Sequence, residues 1–193
     1  MINSKTLKQI KEKLKIHHTL YRFPVKAELW EDIFDQCING DCSNWIPGGH
    51  DVGTDVLCET TGTRYQNKGG EINPKKGTIT WSGHRTTSHR TIDDKIKFIS
   101  QKHCDEYVML ARNKKEWVNG NKIYYLINFN SSLIDYSKLN WSETYSKKGK
   151  LSGWIGKNDK LPYSAKISLS MSAQLWTECS LEYLENLTKI TIL

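Results

Sequence analysis

The stretch of this chain richest in chemistry is GGHDVGTDVLCETTGTRYQNKGG, residues 48–70. Asp55 lies near the start of a β-like run, TDVLCE (54–59), and a second run, RYQNKG (64–69), follows through TTGT, a plausible hairpin turn. Side chains alternate along a strand, so Gln66 and Lys68 project from one face. A hairpin can bring that face beside Asp55, which gathers one carboxylate, one amide oxygen and one ammonium. Metal-dependent phosphodiester hydrolysis needs such a set. A hard divalent ion such as magnesium takes oxygen ligands. Asp55 would supply the anionic one, Gln66 a neutral one and the backbone carbonyl of Asn67 a third. The ion polarises the scissile phosphate and lowers the pKa of a bound water. Lys68 would orient or deprotonate that water and offset charge developing on the phosphorane.

These residues must be held by flanking elements. Residues 4–18 place Leu7, Ile10 and Leu14 at helical spacing on an otherwise basic segment. Tyr21 to Pro24 interrupts it, and Pro24 suits the first turn of a helix over 24–39. There Val25, Leu29, Trp30, Ile33, Phe34 and Cys37 form one apolar face, and Asn39-Gly40 ends it. CSNWIPGGHDVG is turn-rich and irregular. After the two runs of the hairpin comes a longer loop with Pro74, then a third run, GTITWS (77–82). A helix over TIDDKIKFISQKH starts at a capping box, Thr91 with Asp94, and EYVMLAR (106–112) reads as a central buried strand. Up to Arg112 the order is helix, strand, strand, strand, helix, strand, leaving aside the basic N-terminal segment. Beyond it, KIYYLINF (122–129) and AKISLSMS (165–172) read as strands and 137–162 as a lysine-rich loop. A short helix around Leu181–Leu187 and a strand TKITIL finish the chain.

On the residues Asp55 and Gln66-Asn67-Lys68, in that order of elements, the chain resembles the PD-(D/E)XK nucleases, and within them the small type II restriction endonucleases. The wider pattern H-x-x-G-x-D (His50, Gly53, Asp55), followed by QxK and SGHRTT, looks like restriction enzymes of this size. The resemblance covers roughly residues 24–112. The last third shares only a loose strand-plus-SMSxQLW look, at Ser170–Trp176. It implies an α/β fold with a PD-(D/E)XK-like core, a mixed central sheet flanked by helices, and a β-rich C-terminal extension over 113–193. It further implies Mg2+-dependent cleavage of double-stranded DNA at a short specific sequence by a homodimer. One departure stands out: the motif's usual second carboxylate is glutamine here. Glu28 or Glu31, on the helix packed behind the hairpin, could supply the missing acid, as helix glutamates do in some relatives. Asp51 and Glu71 are further candidates. Acids on the polar face of an amphipathic helix nonetheless commonly face solvent.

Composition sets the outer bounds. At 193 residues the chain reads as a single domain. Hydrophobic residues make up 37%, with seven Trp and nine Tyr, enough to build a core and to exclude disorder. No apolar run is long enough to span a membrane and no apolar block follows the N-terminal lysines, so neither a membrane nor a secretory signal is expected. Five cysteines without framework spacing suggest reduced thiols in a cytoplasm, which the resemblance implies is bacterial or archaeal. Zinc at Cys37, Cys42 and His50 would need gaps that match no strong template. The formal net charge of +7 attracts polyanions, although lysine richness also follows from an AT-rich coding sequence. His84, Arg85, Thr86, Thr87, His89 and Arg90 would contact DNA, or else form a polar loop leading to a helix cap. Gln174 would read adenine or be a satisfied buried amide, and Lys147 and Lys148 would touch phosphate. A repair or junction-resolving nuclease, and a basic nucleic-acid-binding module without catalysis, are the competing readings.

Overall fold

A computed structural model describes residues 2–40, 53–118, 122–184 and 187–192. The chain is mixed α/β, with four α-helices and ten strands among the described residues. Its contacts divide it into two compact units. The first comprises Met1–Ile72, His103–Ser131 and Leu184–Leu193; the second comprises Asn73–Lys102 and Ser132–Tyr183. The expected order helix, strand, strand, strand, helix, strand is present as α2 (Ala27–Asn39), β1 (Val56–Leu57), β2 (Arg64–Asn73), β3 (Thr78–Arg85), α3 (Ile92–Ile99) and β4 (Glu106–Arg112).

In the first unit, α1 (Ser4–Leu20) and α2 lie over the sheet. Asn3 caps α1, its Oδ1 accepting from the Thr6 N–H at 2.8 Å, and the 3–4 spacing buries Ile10, Leu14 and His17 on one stripe. Trp30, Ile33, Phe34 and Cys37 of α2 join Ile10 and Leu14 in one core with Val56, Tyr65, Val108, Tyr124 and Ile190. The strand β2 pairs antiparallel with β1 and parallel with β4. In turn, β4 pairs antiparallel with β5 (Lys122–Asn130), and β5 with β10 (Leu187–Ile192). Five consecutive buried residues in β4 fit its place between two partners, as the apolar run EYVMLAR suggests.

Two elements are shorter than their sequence pattern suggests. The helix expected from Pro24 begins at Ala27, because Lys26 is extended, with φ −85° and ψ 165°; before it, the Val25 N–H donates to the Tyr124 hydroxyl at 3.0 Å. The strand expected over 54–59 makes only two ladder pairs. Asn39 accounts for its outer edge: its Nδ2 donates to the Leu57 carbonyl at 2.8 Å and its Oδ1 accepts from the Glu59 N–H at 2.9 Å. A side-chain amide at the end of α2 thus replaces a strand partner and fixes the helix to the strand that follows Asp55.

In the second unit the strands run antiparallel in the order β3, β9 (Gln174–Ser180), β8 (Tyr163–Ser168), β7 (Leu151–Lys157), β6 (Asn140–Tyr145). The lysine-rich loop expected over 137–162 is instead the β6–β7 hairpin, with Lys147 and Lys148 in its exposed turn. Its pattern is hidden because most of β6 is exposed; Trp141 helps to anchor it, giving its indole N–H to the Tyr136 carbonyl at 3.1 Å. The strand expected through Ser172 stops at Ser168, and residues Leu169–Met171 turn as a 3-10 helix. The helix expected around Leu181–Leu187 is a turn over 181–184, and Leu187 already belongs to β10; residues 185–186 lie outside the described residues. A short helix, α4 (Lys114–Val118), and the alternating strand β9 had no clear sequence signal. No helix among the described residues is long and apolar enough to cross a membrane.

Removing the Asn39 amide tests how firmly the helix holds the hairpin. Asn39→Ala leaves the Leu57 carbonyl and the Glu59 N–H without that partner and is expected to cost about 1–2 kcal/mol in urea unfolding. An unchanged midpoint would show that water satisfies both groups equally well.

Candidate active site

The site is built where β1 begins beside β2. Val56 pairs with Tyr65, so Asp55 enters opposite Gln66, and its own N–H donates to the Tyr65 carbonyl at 2.9 Å. The Asp55 carboxylate turns along β2. Its Oδ2 accepts from the Asn67 backbone N–H at 2.8 Å and from Lys68 Nζ at 3.1 Å. Both side chains of this ion pair are largely buried, with relative exposures of 16% for Asp55 and 17% for Lys68. A pair so enclosed is screened less than a surface one, and the backbone donor supplements it. A residue's N–H and C=O leave a strand on the same edge, so the Asn67 carbonyl points toward the Asp55 side of β2.

Gln66 is 3% exposed, and its Oε1 has no hydrogen-bond partner among the described residues. An orphaned buried acceptor is costly and calls for a partner. Asn67 is buried too, with both side-chain amide atoms unpartnered. The sequence reading used its carbonyl and missed its amide, for which the pattern gives no signal. Tyr65, Gln66 and Asn67 are buried in succession, which breaks the alternation of a half-exposed strand.

A second carboxyl, on α2, is electrostatically coupled to this pair. Burial pushes Glu31 up to about 7 from an ordinary 4.5; Asp55 and Glu28 push the same way, and Lys68 opposes them. Glu31 therefore feels both charged members of the hairpin, whereas Glu28 is exposed. Of the two helix glutamates singled out, Glu31 is the half-buried one, and its carboxyl is coupled to the charges of Asp55 and Lys68. Glu71 instead pairs with Lys114 at 2.6 Å, and it stands an odd number of residues from Lys68, on the other face of β2. The buried Cys104 thiol also neighbours the site, raised to about 12 by burial, with Lys68 lowering it and Asp55 raising it.

A hard divalent cation fits this donor set, which is all oxygen: the Asp55 and Glu31 carboxyls and the unpartnered Gln66 Oε1. Among the described residues, no group of three or more His, Cys, Asp or Glu side chains could hold a metal ion. Asp51, His50 and Cys42 lie outside the described residues. Cys37, offered for zinc, is buried within the core and its thiol is raised to about 11, chiefly by burial.

The residues expected to touch DNA separate into two groups. Arg85, Thr87 and Arg90 are exposed. Thr86 is fully buried, its hydroxyl donating to the Ala173 carbonyl at 2.8 Å, so it serves the fold and cannot reach a ligand. His84 and His89 pack on Phe98, and the half-buried Gln174 gives its Nε2 to the Gly83 carbonyl at 2.5 Å. Compared with models of protein families, with curated proteins and with solved structures, the chain matches none.

The charge balance gives a measurable sign. A carboxyl whose folded pKa is raised contributes stability that is complete below its unfolded value of 4.5 and is lost as pH rises through about 7. In EDTA, Glu31→Gln is therefore expected to stabilise the chain at about pH 8, by about 1 kcal/mol after allowing for solvent screening of a half-exposed group. The gain should vanish near pH 5. Destabilisation at the higher pH would place Glu31 away from the other carboxylate.

Proposed function

We propose that the chain is a Mg2+-dependent endonuclease that hydrolyses phosphodiester bonds of double-stranded DNA at a short specific sequence, on a PD-(D/E)XK-like core. The observation that carries this reading is the junction of Asp55 with the Asn67 N–H and the Lys68 ammonium; the buried, unpartnered oxygen of Gln66, two residues before Lys68 on the same face of β2, supports it. The order of elements from α2 to β4 supports it, with the acid at the start of the first strand and the lysine on the second.

Within the site, the ion would be held by Asp55, Gln66, Glu31 and the Asn67 carbonyl. When bound it supplies charge on the scissile phosphate and acidity to a water. The chain's own groups do the rest. The Asn67 N–H fixes the rotamer of Asp55, and Asp55 in turn aims the Lys68 ammonium. Lys68 stands ready to order the attacking water and to offset negative charge as oxygen adds to phosphorus. The water oxygen joins phosphorus, one ester oxygen leaves, and the departing oxygen takes up a proton.

Outside the site, the exposed Arg85 and Arg90 guanidinium groups and the Lys147–Lys148 turn offer cations to the duplex. Symmetric recognition sequences favour a two-fold homodimer, in which each centre cuts one strand.

Cleavage of supercoiled plasmid with magnesium and with EDTA tests the reading. Discrete fragments that vanish on chelation are expected. Lys68→Ala should lower the cutting rate at least about a hundredfold while duplex binding persists. Cutting of branched but not linear duplex would assign the site to repair or junction resolution. Binding without cutting under every metal would leave a non-catalytic module.

Two further substitutions locate the parts. Gln66→Glu adds an anionic ligand, so magnesium affinity measured by calorimetry should hold or rise; a large fall would remove Gln66 from the ligand set. Replacing Lys147 and Lys148 by alanine should weaken binding across all sequences and flatten the salt dependence by about one unit per lysine. An unchanged slope would free that turn from any phosphate contact.

A further inference from the structure

The second unit carries a buried cation that the proposed chemistry does not use. Lys95 of α3 is 3% exposed. Its Nζ donates to the Thr86 carbonyl at 2.7 Å and also to the His89 carbonyl. Both partners are neutral dipoles, and among the described residues no carboxylate stands within ion-pair distance of this ammonium. Burying an ammonium is expensive, and a fold that only needed to close a loop could use a neutral donor. The charge therefore remains beneath the segment it holds.

That segment, residues 83–90, is fixed from three further directions. The pairing of β3 with β9 shifts register between Ser82 and Arg85, a bulge that redirects the chain. Thr86 gives both its N–H, at 3.0 Å, and its hydroxyl, at 2.8 Å, to the Ala173 carbonyl. One turn along α3 from Lys95, Phe98 stacks with His89 at 4.4 Å between ring centroids and meets His84 edge-on at 5.5 Å. The anchoring turn is itself strained: Ser172 and Ala173 both have positive φ, 55° and 48°, without being glycine. Such conformations cost about 1 kcal/mol or more each and persist where surrounding contacts over-determine them.

What this scaffold leaves outside is specific. Arg85 and Arg90 are exposed, and neither guanidinium has a carboxylate within ion-pair distance among the described residues. Asp93 and Asp94, in the first turn of α3, are exposed acids nearby in sequence, and Asp94 is engaged by the Thr91 hydroxyl at 2.7 Å. Two open planar cations on a segment held over a third, buried cation present a preorganised surface to a polyanion.

We infer that Lys95 is a positioning residue, whose ammonium holds the 83–90 segment so that Arg85 and Arg90 meet duplex DNA in a fixed arrangement. This rests on the nucleic-acid reading above and deepens it by naming the surface and the residue that sets it. Lys95 itself touches no ligand; it acts through the two arginines.

The test reads binding without cleavage. The full chain carrying Lys68→Ala, in EDTA, is titrated against a labelled pool of random-sequence duplex DNA by fluorescence anisotropy. Adding Lys95→Met should weaken binding about tenfold and flatten its salt dependence. With Arg85→Ala and Arg90→Ala already present, Lys95→Met should have no further effect, because residues acting as one unit are not additive. An equal loss in both backgrounds would show that the lysine acts by its own charge and would overturn the inference. So would undiminished binding by Lys95→Met, or failure of the parent chain to bind the pool.

Lys95→Gln decides the matter if Lys95→Met does not fold. Its amide keeps a neutral donor for the Thr86 and His89 carbonyls and removes the charge, so the chain should fold while binding falls severalfold. Unchanged binding by that variant overturns the inference. A wild-type chain that binds but never cuts refutes the nuclease reading alone, since none of these titrations depends on cutting.

Discussion

The candidate site depends on one carboxylate oxygen. Asp55 Oδ2 accepts the Asn67 N–H and the Lys68 ammonium together, and the two donors come from adjacent residues of one strand. Adjacent strand side chains point to opposite faces, so an acid can normally reach only one of them. Asp55 reaches both residues because one donor is backbone, lying in the plane of the sheet. The arrangement requires the ladder between β1 and β2 to stop where it does: a further pair would give the Asn67 N–H a backbone partner. The brevity of β1 is therefore a condition of the site. On its other edge, Asn39 at the end of α2 takes the Leu57 carbonyl and the Glu59 N–H and so ties the strand to the helix.

The same helix ties stability to the electrostatics of the site. The buried stripe Trp30, Ile33, Phe34 and Cys37 fixes how α2 is rotated over the sheet. Given that rotation, Glu31 cannot turn fully to solvent, and its carboxyl is half buried within reach of Asp55 and Lys68. Packing thus places a second acid where charge alone would not. The expectation that polar-face glutamates look outward holds for Glu28 and fails for Glu31, since one helical position, Trp30, separates the buried face from it.

Much of this was legible in the sequence because the deciding signals are local. Apolar periodicity located α1 and α2, the continuous run located β4, and Thr91 with Asp94 marked the start of α3, its side chain accepting the Asp94 N–H. What stayed hidden depends on partners distant in sequence. The β6–β7 hairpin is mostly exposed, so no alternation marks it, and Trp141 finds its place only when it packs beside Gly156. The positive φ of Ser172 and Ala173 has no glycine to announce it. Lys95 is one of many lysines by composition; its burial follows from the carbonyls of Thr86 and His89, which only the folded 83–90 segment presents. Likewise, Asp55 and Lys68 could be read as a pair from hairpin geometry, but neither the contribution of Glu31 nor the orphaned amide of Asn67 has a sequence signature.

The glutamine at position 66 follows from counting charges in this setting. Asp55 and Glu31 bring two carboxyls to one place, and Lys68 brings one ammonium. Glu31 is already raised to about 7 by burial and by its acidic neighbours. With no ion bound, a carboxylate at position 66, 3% exposed, would be penalised by burial on a hairpin that already carries Asp55. An amide keeps the acceptor oxygen and omits the charge. On the proposed reading, then, the acid that the strand motif lacks has moved to the helix, and the neutral ligand on β2 is what lets Asp55 and Glu31 share the site with a single lysine.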